Sequence, residues 1–169
     1  MRPTPSTVTE RTRRATETLT LIAFCAFLFF AGIQLIGLVG ADEPRYAQVA
    51  REMLARHDWV TPFLYGHPWL EKPPLYYWFT VLAYKATGEV SDTAARLPSA
   101  VLTSLLVIFI YVWARRFRRR MQLDAALITA SAAAIIGYGR SASTDMPLSA
   151  TFTVAMLCWY GWYGWLWRS

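Results

Sequence analysis

Cysteine is scarce in this chain of 169 residues, which contains only Cys25 and Cys158, each inside an apolar stretch. Two cysteines in such surroundings do not make a disulfide framework, and we interpret them as small hydrophobic side chains. The sequence also lacks internal repeats, low-complexity tracts and a glycine-rich phosphate loop. These absences exclude a disulfide-stapled small domain, a repeat protein and a nucleotide-binding loop.

Charged residues are few, at 17% of the chain, whereas hydrophobic residues make up 55% and aromatic residues 15%. Such a composition excludes a disordered or fibrous chain, and an ordinary soluble domain of this size would expose too much apolar surface. The net charge is +6, and 15 of the 17 basic residues are arginine. A basic chain can bind nucleic acid or anionic lipid, so the positions of the arginines must decide between these partners.

Four apolar stretches predict membrane spans, at about 19–39, 94–113, 123–139 and 146–167. A signal peptide is the alternative for the first stretch, but no small-residue cleavage site follows it, so we interpret it as a retained span. The apolar run 75–86 is too short to cross comfortably, which favours an interfacial or re-entrant helix. The predicted fold class is therefore an all-α polytopic membrane protein with four spans and interfacial amphipathic helices in the first extracytoplasmic loop.

The arginines predict the orientation of these spans. If 75–86 stays at the membrane surface, the basic arm 1–17, the arginine-rich loop 115–120 and Arg168 all lie on one side. The segment 41–96 then lies on the other side, with 6 basic and 7 acidic residues. This is the positive-inside arrangement, and it puts both chain ends in the cytoplasm. The arginine cluster is then a topology signal that contacts membrane lipids, and nucleic acid is not an expected partner.

The extracytoplasmic loop 41–93 begins with Asp42-Glu43-Pro44-Arg45-Tyr46, which is typical of a helix start. Apolar residues at helical spacing follow and predict an amphipathic helix that lies on the bilayer: Tyr46, Val49, Ala50, Met53 and Leu54. The predicted topology places Asp42 and the distant Asp145 on the same outer face. Each aspartate could instead be a helix cap.

A second polar motif of the loop is Glu71-Lys72-Pro73-Pro74, followed by an aromatic run. The paired prolines stiffen the chain ahead of the next helix. Lys72 could be a membrane-surface anchor. It could also bind a phosphate at headgroup level together with Arg45, and the residues alone leave both possibilities open.

These two motifs, with Ala95-Arg96-Leu97-Pro98-Ser99-Ala100 and the later Gly139-Arg140, resemble polyprenyl-phosphate-sugar glycosyltransferases of the GT-C fold. The similarity is greatest to the family of the lipid A aminoarabinose transferase and the protein O-mannosyltransferases. It extends from about residue 19 to the last residue and covers the N-terminal part of the family pattern. The resemblance implies that 18–169 is the beginning of a GT-C transmembrane domain, and that the chain is a fragment, inactive by itself.

The resemblance also implies an activity and a location. Members of this family move a sugar from a polyprenyl-phosphate donor to a lipid or protein acceptor, so we expect an extracytoplasmic reaction at the bacterial inner membrane. Asp42 and Asp145 match acidic positions of the catalytic cavity. A carboxylate there would accept the acceptor's proton or orient the nucleophile as the glycosidic bond breaks. Whether the transfer inverts or retains the anomeric configuration is left open.

The same resemblance assigns Lys72 to the donor phosphate, with Arg45 and Tyr46 as helpers. Positive charge at this point would stabilise the leaving phosphate. Glu71 matches a position that in some relatives binds a divalent metal ion together with a later residue, so a metal cofactor is an expectation that depends on one carboxylate.

Four further residues and the chain as a whole have more than one interpretation. Arg96 and Arg140 could be charges of the cavity or anchors near the membrane interface. His57 and His67 have no ligand spacing around them and are expected to be ordinary loop histidines. The alternative function for the whole chain is a non-catalytic membrane module that binds polyprenyl phosphate or assembles with other helices.

Overall fold

The computed structural model of the chain describes residues 7–117 and 120–166, and the regular secondary structure of this part is helical apart from one short hairpin. Residues 1–6 of the predicted basic arm, Arg118 and Arg119 of the arginine-rich loop, and residues 167–169 lie outside the described ranges. The elements are α1 (Thr7–Cys25), a π-helical turn (Ala26–Phe30), α2 (Asp42–Arg56), β1 (Phe63–Leu64), β2 (His67–Pro68), α3 (Leu75–Thr87), α4 (Asp92–Phe117), α5 (Gln122–Ser131), α6 (Ala133–Gly139) and α7 (Asp145–Leu166). The all-α prediction is confirmed.

Helix α4 is the central element, because α1, α3, α5, α6 and α7 all pack against it. Its 26 residues span roughly 39 Å at 1.5 Å per residue, more than the hydrocarbon core of a bilayer. Among the described helices, α4 alone is both long enough and apolar enough to cross a membrane. The predicted count of four spans is therefore not confirmed, and the other three stay predictions.

The first helix differs from the predicted span 19–39. It begins at Thr7 and ends in the π-helical turn, after which Ala31 and Gly32 form the centre of a tight turn. The N–H of Ile33 donates to the carbonyl of Phe30 at 3.3 Å, and Gly32 has a φ of 71°. These values describe a type II turn, which needs glycine at its third position. The predicted boundaries are wrong because this turn ends the helix before residue 39.

The apolar stretch 123–139 is also not one helix. Ala132 is extended, with φ −64° and ψ 131°, and separates α5 from α6. At the end of α6, a Cβ on Gly139 would lie 2.7 Å from Oγ1 of Thr103 on α4. Only a residue without a side chain allows so close an approach of the two helices.

The apolar face of α2 packs against α3. The predicted residues Tyr46, Val49, Ala50 and Met53 are buried, as the helical spacing indicated. Their partners on α3 are Tyr76, Tyr77, Val81 and Tyr84. The expectation that this face lies on the bilayer is wrong, because α3 covers it. The helix predicted at 75–86 is confirmed as α3.

Two glutamates, Glu52 and Glu17, fix the hairpin and the opposite end of the helix bundle. Glu52 of α2 accepts hydrogen bonds from the N–H groups of Tyr65 (2.7 Å) and Gly66 (3.0 Å), which fixes the hairpin between β1 and β2. At the other end of α4, Glu17 of α1 accepts hydrogen bonds from the Tyr111 hydroxyl (3.0 Å) and from the Gln122 amide (2.9 Å). The start of α5 therefore lies at the end of α4 opposite to α2 and α3.

Candidate functional site

The first turn of α2 presents an exposed carboxylate. Gly40, with a φ of 74°, precedes the helix, and Pro44 occupies its first turn, where a missing N–H costs no hydrogen bond. The side chain of Asp42 is 67% exposed. Its Oδ1 accepts a hydrogen bond from Nη1 of Arg45 at 3.2 Å, so one oxygen is engaged and the other faces outward.

The next residue, Glu43, is buried and joins three segments of the chain. Its carboxylate accepts hydrogen bonds from Nε (3.2 Å) and Nη2 (2.6 Å) of Arg96 on α4. It also accepts the N–H of Val39 at 2.6 Å and the N–H of Ala142 at 2.7 Å. Four donors thus satisfy one buried carboxylate.

These contacts decide the ionisation of Glu43. Burial alone would raise the pKa of this carboxyl, but the hydrogen bonds from Arg96 and from the two backbone N–H groups outweigh it, and the pKa lies below its ordinary value. Glu43 is therefore a carboxylate that forms an ion pair with Arg96 at neutral pH. Because the folded-state pKa is depressed, this stabilisation is present above the ordinary pKa of a glutamate and is lost as the pH falls through the lower folded value.

Arg96 uses all five of its N–H groups. Besides the two bonds to Glu43, it donates to the carbonyls of Ile33, Ile36 and Gly37. The guanidinium thereby fixes the connection between the first helix and α2. Sequence reasoning missed this pair, although a lone arginine in an apolar stretch signals that a buried partner is required.

Arg140 has a related contact. Its Nη1 donates to the carbonyl of Leu28 (2.6 Å) and its Nη2 to that of Ala31 (2.8 Å), next to the turn that ends the first helix. Arg96 and Arg140 both line a cavity of about 390 Å³. Of the two roles left open for these arginines, the structure favours the cavity.

Asp145 begins α7 and is exposed. Its Oδ2 accepts a hydrogen bond from the Ser143 hydroxyl at 3.1 Å, and its backbone N–H donates to Oγ of Ser143 at 3.0 Å. Ala142, three residues earlier, is the residue whose N–H binds Glu43. The segment before Asp145 therefore meets the first turn of α2 at the same end of the bundle as Asp42.

A second contact joins the first turn of α2 to the loop that carries Lys72. The guanidinium carbon of Arg45 lies 5.5 Å from the centre of the Trp69 ring, three residues before Lys72. Within the described part of the chain, Lys72 is half-buried and makes no hydrogen bond or ion pair. Glu71 beside it is exposed and also makes none.

Tyr46 lies inside an aromatic cluster and not at the surface. It is 6% exposed, and its ring centre lies 6.2 Å from those of both Tyr76 and Tyr77. Tyr46 therefore has a packing role, and a phosphate contact by its hydroxyl stays a prediction.

Two buried polar groups beside this cluster, the Tyr77 hydroxyl and the Trp69 indole N–H, lie close to each other and have no well-formed hydrogen bond to any described residue. Burial raises the pKa of Tyr77 to about 12. Tyr46 and Glu71 act in the same direction, and the nearby Trp69 and Arg45 act against it. The Tyr77 hydroxyl is therefore neutral, and the charges of Glu71 and Arg45 both act on it.

The structure does not bring all predicted site residues into contact. No hydrogen bond or ion pair joins Lys72 or Glu71 to Asp42 or Asp145 in the described ranges. Residues 7–117 and 120–166 also contain no group of three His, Cys, Asp or Glu that could hold a metal ion. One carboxylate is not a complete ligand set, so a metal ion at Glu71 stays a prediction.

Comparisons with known proteins identify relatives of this chain. Residues 15–169 match the family model of the dolichyl-phosphate-mannose-protein mannosyltransferases. An undecaprenyl phosphate-alpha-4-amino-4-deoxy-L-arabinose arabinosyl transferase of Yersinia enterocolitica is 36% identical over 140 residues, which cover 79% of this chain and 25% of that protein. The enzyme of the same name from Pseudomonas aeruginosa LESB58 is 39% identical over 135 residues, which cover 79% and 24%.

Solved structures agree with these relatives. The crystal structure of ArnT from Cupriavidus metallidurans bound to undecaprenyl phosphate superposes with a TM-score of 0.77 at 30% identity, covering 83% of this chain and 26% of that chain. The apo structure of the same protein gives a TM-score of 0.74. The chain thus spans about a quarter of the length of the relatives it matches.

Proposed function

Because the chain belongs to the dolichyl-phosphate-mannose-protein mannosyltransferase family, we propose that it takes part in moving a sugar from a polyprenyl phosphate to an extracytoplasmic acceptor. The observation that carries this proposal is the first turn of α2. There Asp42 is exposed, Glu43 binds the segment that leads to Asp145, and Arg45 contacts the loop that leads to Lys72. One turn of helix thereby carries Asp42 and Arg45 and contacts the two segments that lead to Asp145 and Lys72.

We call Asp42, Arg45, Lys72 and Asp145 the rim. Its two cations suit the phosphate of a lipid. Lys72 has no partner in the described part of the chain, so its ammonium group is available to an anion without breaking an existing bond. An ammonium and a guanidinium both donate charge-assisted hydrogen bonds to phosphate oxygens.

The carboxylates of the rim suit the acceptor. As the bond between the anomeric carbon and the phosphate oxygen breaks, an acceptor hydroxyl forms the new bond to that carbon and gives up its proton. Asp42 would accept the proton or orient the hydroxyl, and Asp145 would contribute from the same end of the bundle. The leaving group departs as a polyprenyl phosphate dianion, which the positive charge of Lys72 would stabilise.

The names of the relatives favour a particular donor. Those proteins are undecaprenyl phosphate aminoarabinose transferases, so we propose an undecaprenyl-phosphate-linked pentose, with lipid A or a protein as the acceptor class. The arginine distribution supports insertion into the bacterial inner membrane with a cytoplasmic N-terminus. Trypsin added from the outer side should then cleave at the exposed Arg51 or Arg56 of α2. Cleavage from the cytoplasmic side alone would contradict that orientation.

The two lysines of the chain give a matched test of the phosphate site. Lys72 has no partner in residues 7–117 and 120–166, whereas Lys85 lies at the end of α3 with its Nζ 4.7 Å from the centre of the Trp59 ring. We expect Lys72→Ala to weaken binding of undecaprenyl phosphate by about tenfold or more, because a charge-assisted hydrogen bond is lost. Lys85→Ala should leave the affinity near that of the original chain.

The measurement is a binding isotherm for undecaprenyl phosphate on the purified chain in lipid nanodiscs. Equal affinities of the original chain and Lys72→Ala would contradict the proposed phosphate site. An equal loss in both lysine variants would show a general attraction of the anionic lipid to positive charge.

A further inference from the structure

The buried pair of Glu43 and Arg96 lies behind the rim and contributes no exposed charge to it. Both side chains are almost fully buried, at 9% and 6% exposed, and their closest atoms are 2.6 Å apart. A buried ion pair often stabilises a fold no better than apolar residues of the same size would. Its geometry therefore points to a role beyond simple stability.

The contacts of the pair are directed at the elements that carry the rim. Through Glu43 it binds the N–H of Ala142, ahead of Asp145, and the N–H of Val39, ahead of Asp42. Through Arg96 it binds three carbonyls of the connection between the first helix and α2. Glu43 itself is the chain neighbour of Asp42.

We propose that Glu43 and Arg96 form a positioning pair that fixes the start of α7, with Asp145, against the start of α2, with Asp42. The role of the two aspartates in this inference rests on the proposed function. The linkage between the starts of α2 and α7 does not. The two aspartates must contact one acceptor and one donor at the same time. Misplacing a catalytic group by about 1 Å costs roughly a hundredfold in rate. Four hydrogen bonds to a single carboxylate supply the required rigidity.

Glu52 provides a matched control on the same helix. Its carboxylate also accepts two backbone N–H groups, but those of Tyr65 and Gly66 in the hairpin, and it lies 3.9 Å from Arg56. Glu43→Gln and Glu52→Gln thus remove equivalent charges from α2. Only the first of them touches the connection to α7.

Amide hydrogen exchange on the purified chain measures the linkage directly. We expect Glu43→Gln to speed exchange at Ala142 and Val39 by about tenfold or more, with Tyr65 and Gly66 unchanged. Glu52→Gln should do the reverse. Should Glu43→Gln fail to fold, Glu43→Asp replaces it, because the shorter carboxylate keeps its charge beside Arg96 but cannot reach all four donors.

A distance measurement adds a readout that general loosening of the fold would not reproduce. Spin labels at the exposed positions Arg51 of α2 and Ser149 of α7, with both native cysteines replaced, report how firmly the two helix starts are held together. Glu43→Asp should broaden this distance distribution, and Glu52→Gln should not. Unchanged exchange at Ala142 together with an unchanged distribution would overturn the proposal. Neither measurement involves the lipid, so a failure of phosphate binding remains distinguishable.

Discussion

Arg96→Ala is expected to lower the free energy of unfolding by about 3–5 kcal/mol, because it leaves a buried carboxylate without its counter-charge. Glu43 would keep only the N–H groups of Val39 and Ala142. The carbonyls of Ile36 and Gly37 would lose a donor at the same time. The measurement is reversible unfolding of the purified chain in mixed micelles.

A second arginine gives the control for this experiment. Arg51 is exposed on α2, and alanine there should change the free energy of unfolding by no more than about 0.5 kcal/mol. Adding Glu43→Gln to Arg96→Ala should recover part of the loss, since glutamine brings no unpaired charge into the interior. Equal effects of Arg96→Ala and Arg51→Ala would show that the buried pair does not hold these segments together.

Asp42→Asn is expected to reduce sugar transfer by about a hundredfold or more. General acid–base catalysis contributes factors of this size, and an asparagine amide cannot accept the acceptor's proton. Because Asp42 is exposed and, among the described residues, has a hydrogen bond only with Arg45, the substitution should leave membrane insertion and folding intact. The assay follows labelled sugar from undecaprenyl phosphate into acceptor, in membranes that contain the full-length gene product with and without the substitution.

Asp124 is the matched control for Asp42. It is also an exposed aspartate in the first turn of a helix, but α5 begins at the opposite end of α4. Asp124→Asn should transfer sugar normally. Normal turnover by Asp42→Asn would remove Asp42 from the catalytic role, and lipid binding without any transfer by the full-length gene product would favour the non-catalytic membrane module.

Local patterns in the sequence were sufficient to predict part of this fold. The spacing of Tyr46, Val49, Ala50 and Met53 predicted both the helix and its buried face, because helical periodicity is a property of neighbouring residues. The partner of that face could not be predicted in the same way. Burial against α3 and exposure to lipid select the same apolar residues, so the pattern does not distinguish them.

Helix ends within apolar stretches were harder to predict. Gly32 ends the first helix in a type II turn, yet a glycine in an apolar run is equally compatible with an uninterrupted span. Two arginines stabilise that turn and the connection after it, from positions far along the chain. Nothing in the local sequence signals which carbonyls they bind.

The sequence predicted exposed candidate residues for the site but not the buried residues that support them. Asp42 and Asp145 followed from the arginine distribution and the family resemblance. The pair of Glu43 and Arg96 did not, because the two residues are 53 positions apart, on α2 and α4, and only the tertiary fold brings them together. A lone arginine in an apolar stretch needs a buried partner, but the local sequence does not identify the carboxylate that provides it.

The most direct measurement of the central idea, that this rim binds the phosphate of a polyprenyl lipid, is a competition on the purified chain between undecaprenyl phosphate and undecaprenol, which share the same tail. With the phosphate held by Lys72 and Arg45, undecaprenyl phosphate should be retained in native mass spectra at about tenfold lower concentration than the alcohol. Equal retention of the two lipids would mean that the chain recognises only the apolar tail, and it would contradict the proposed site.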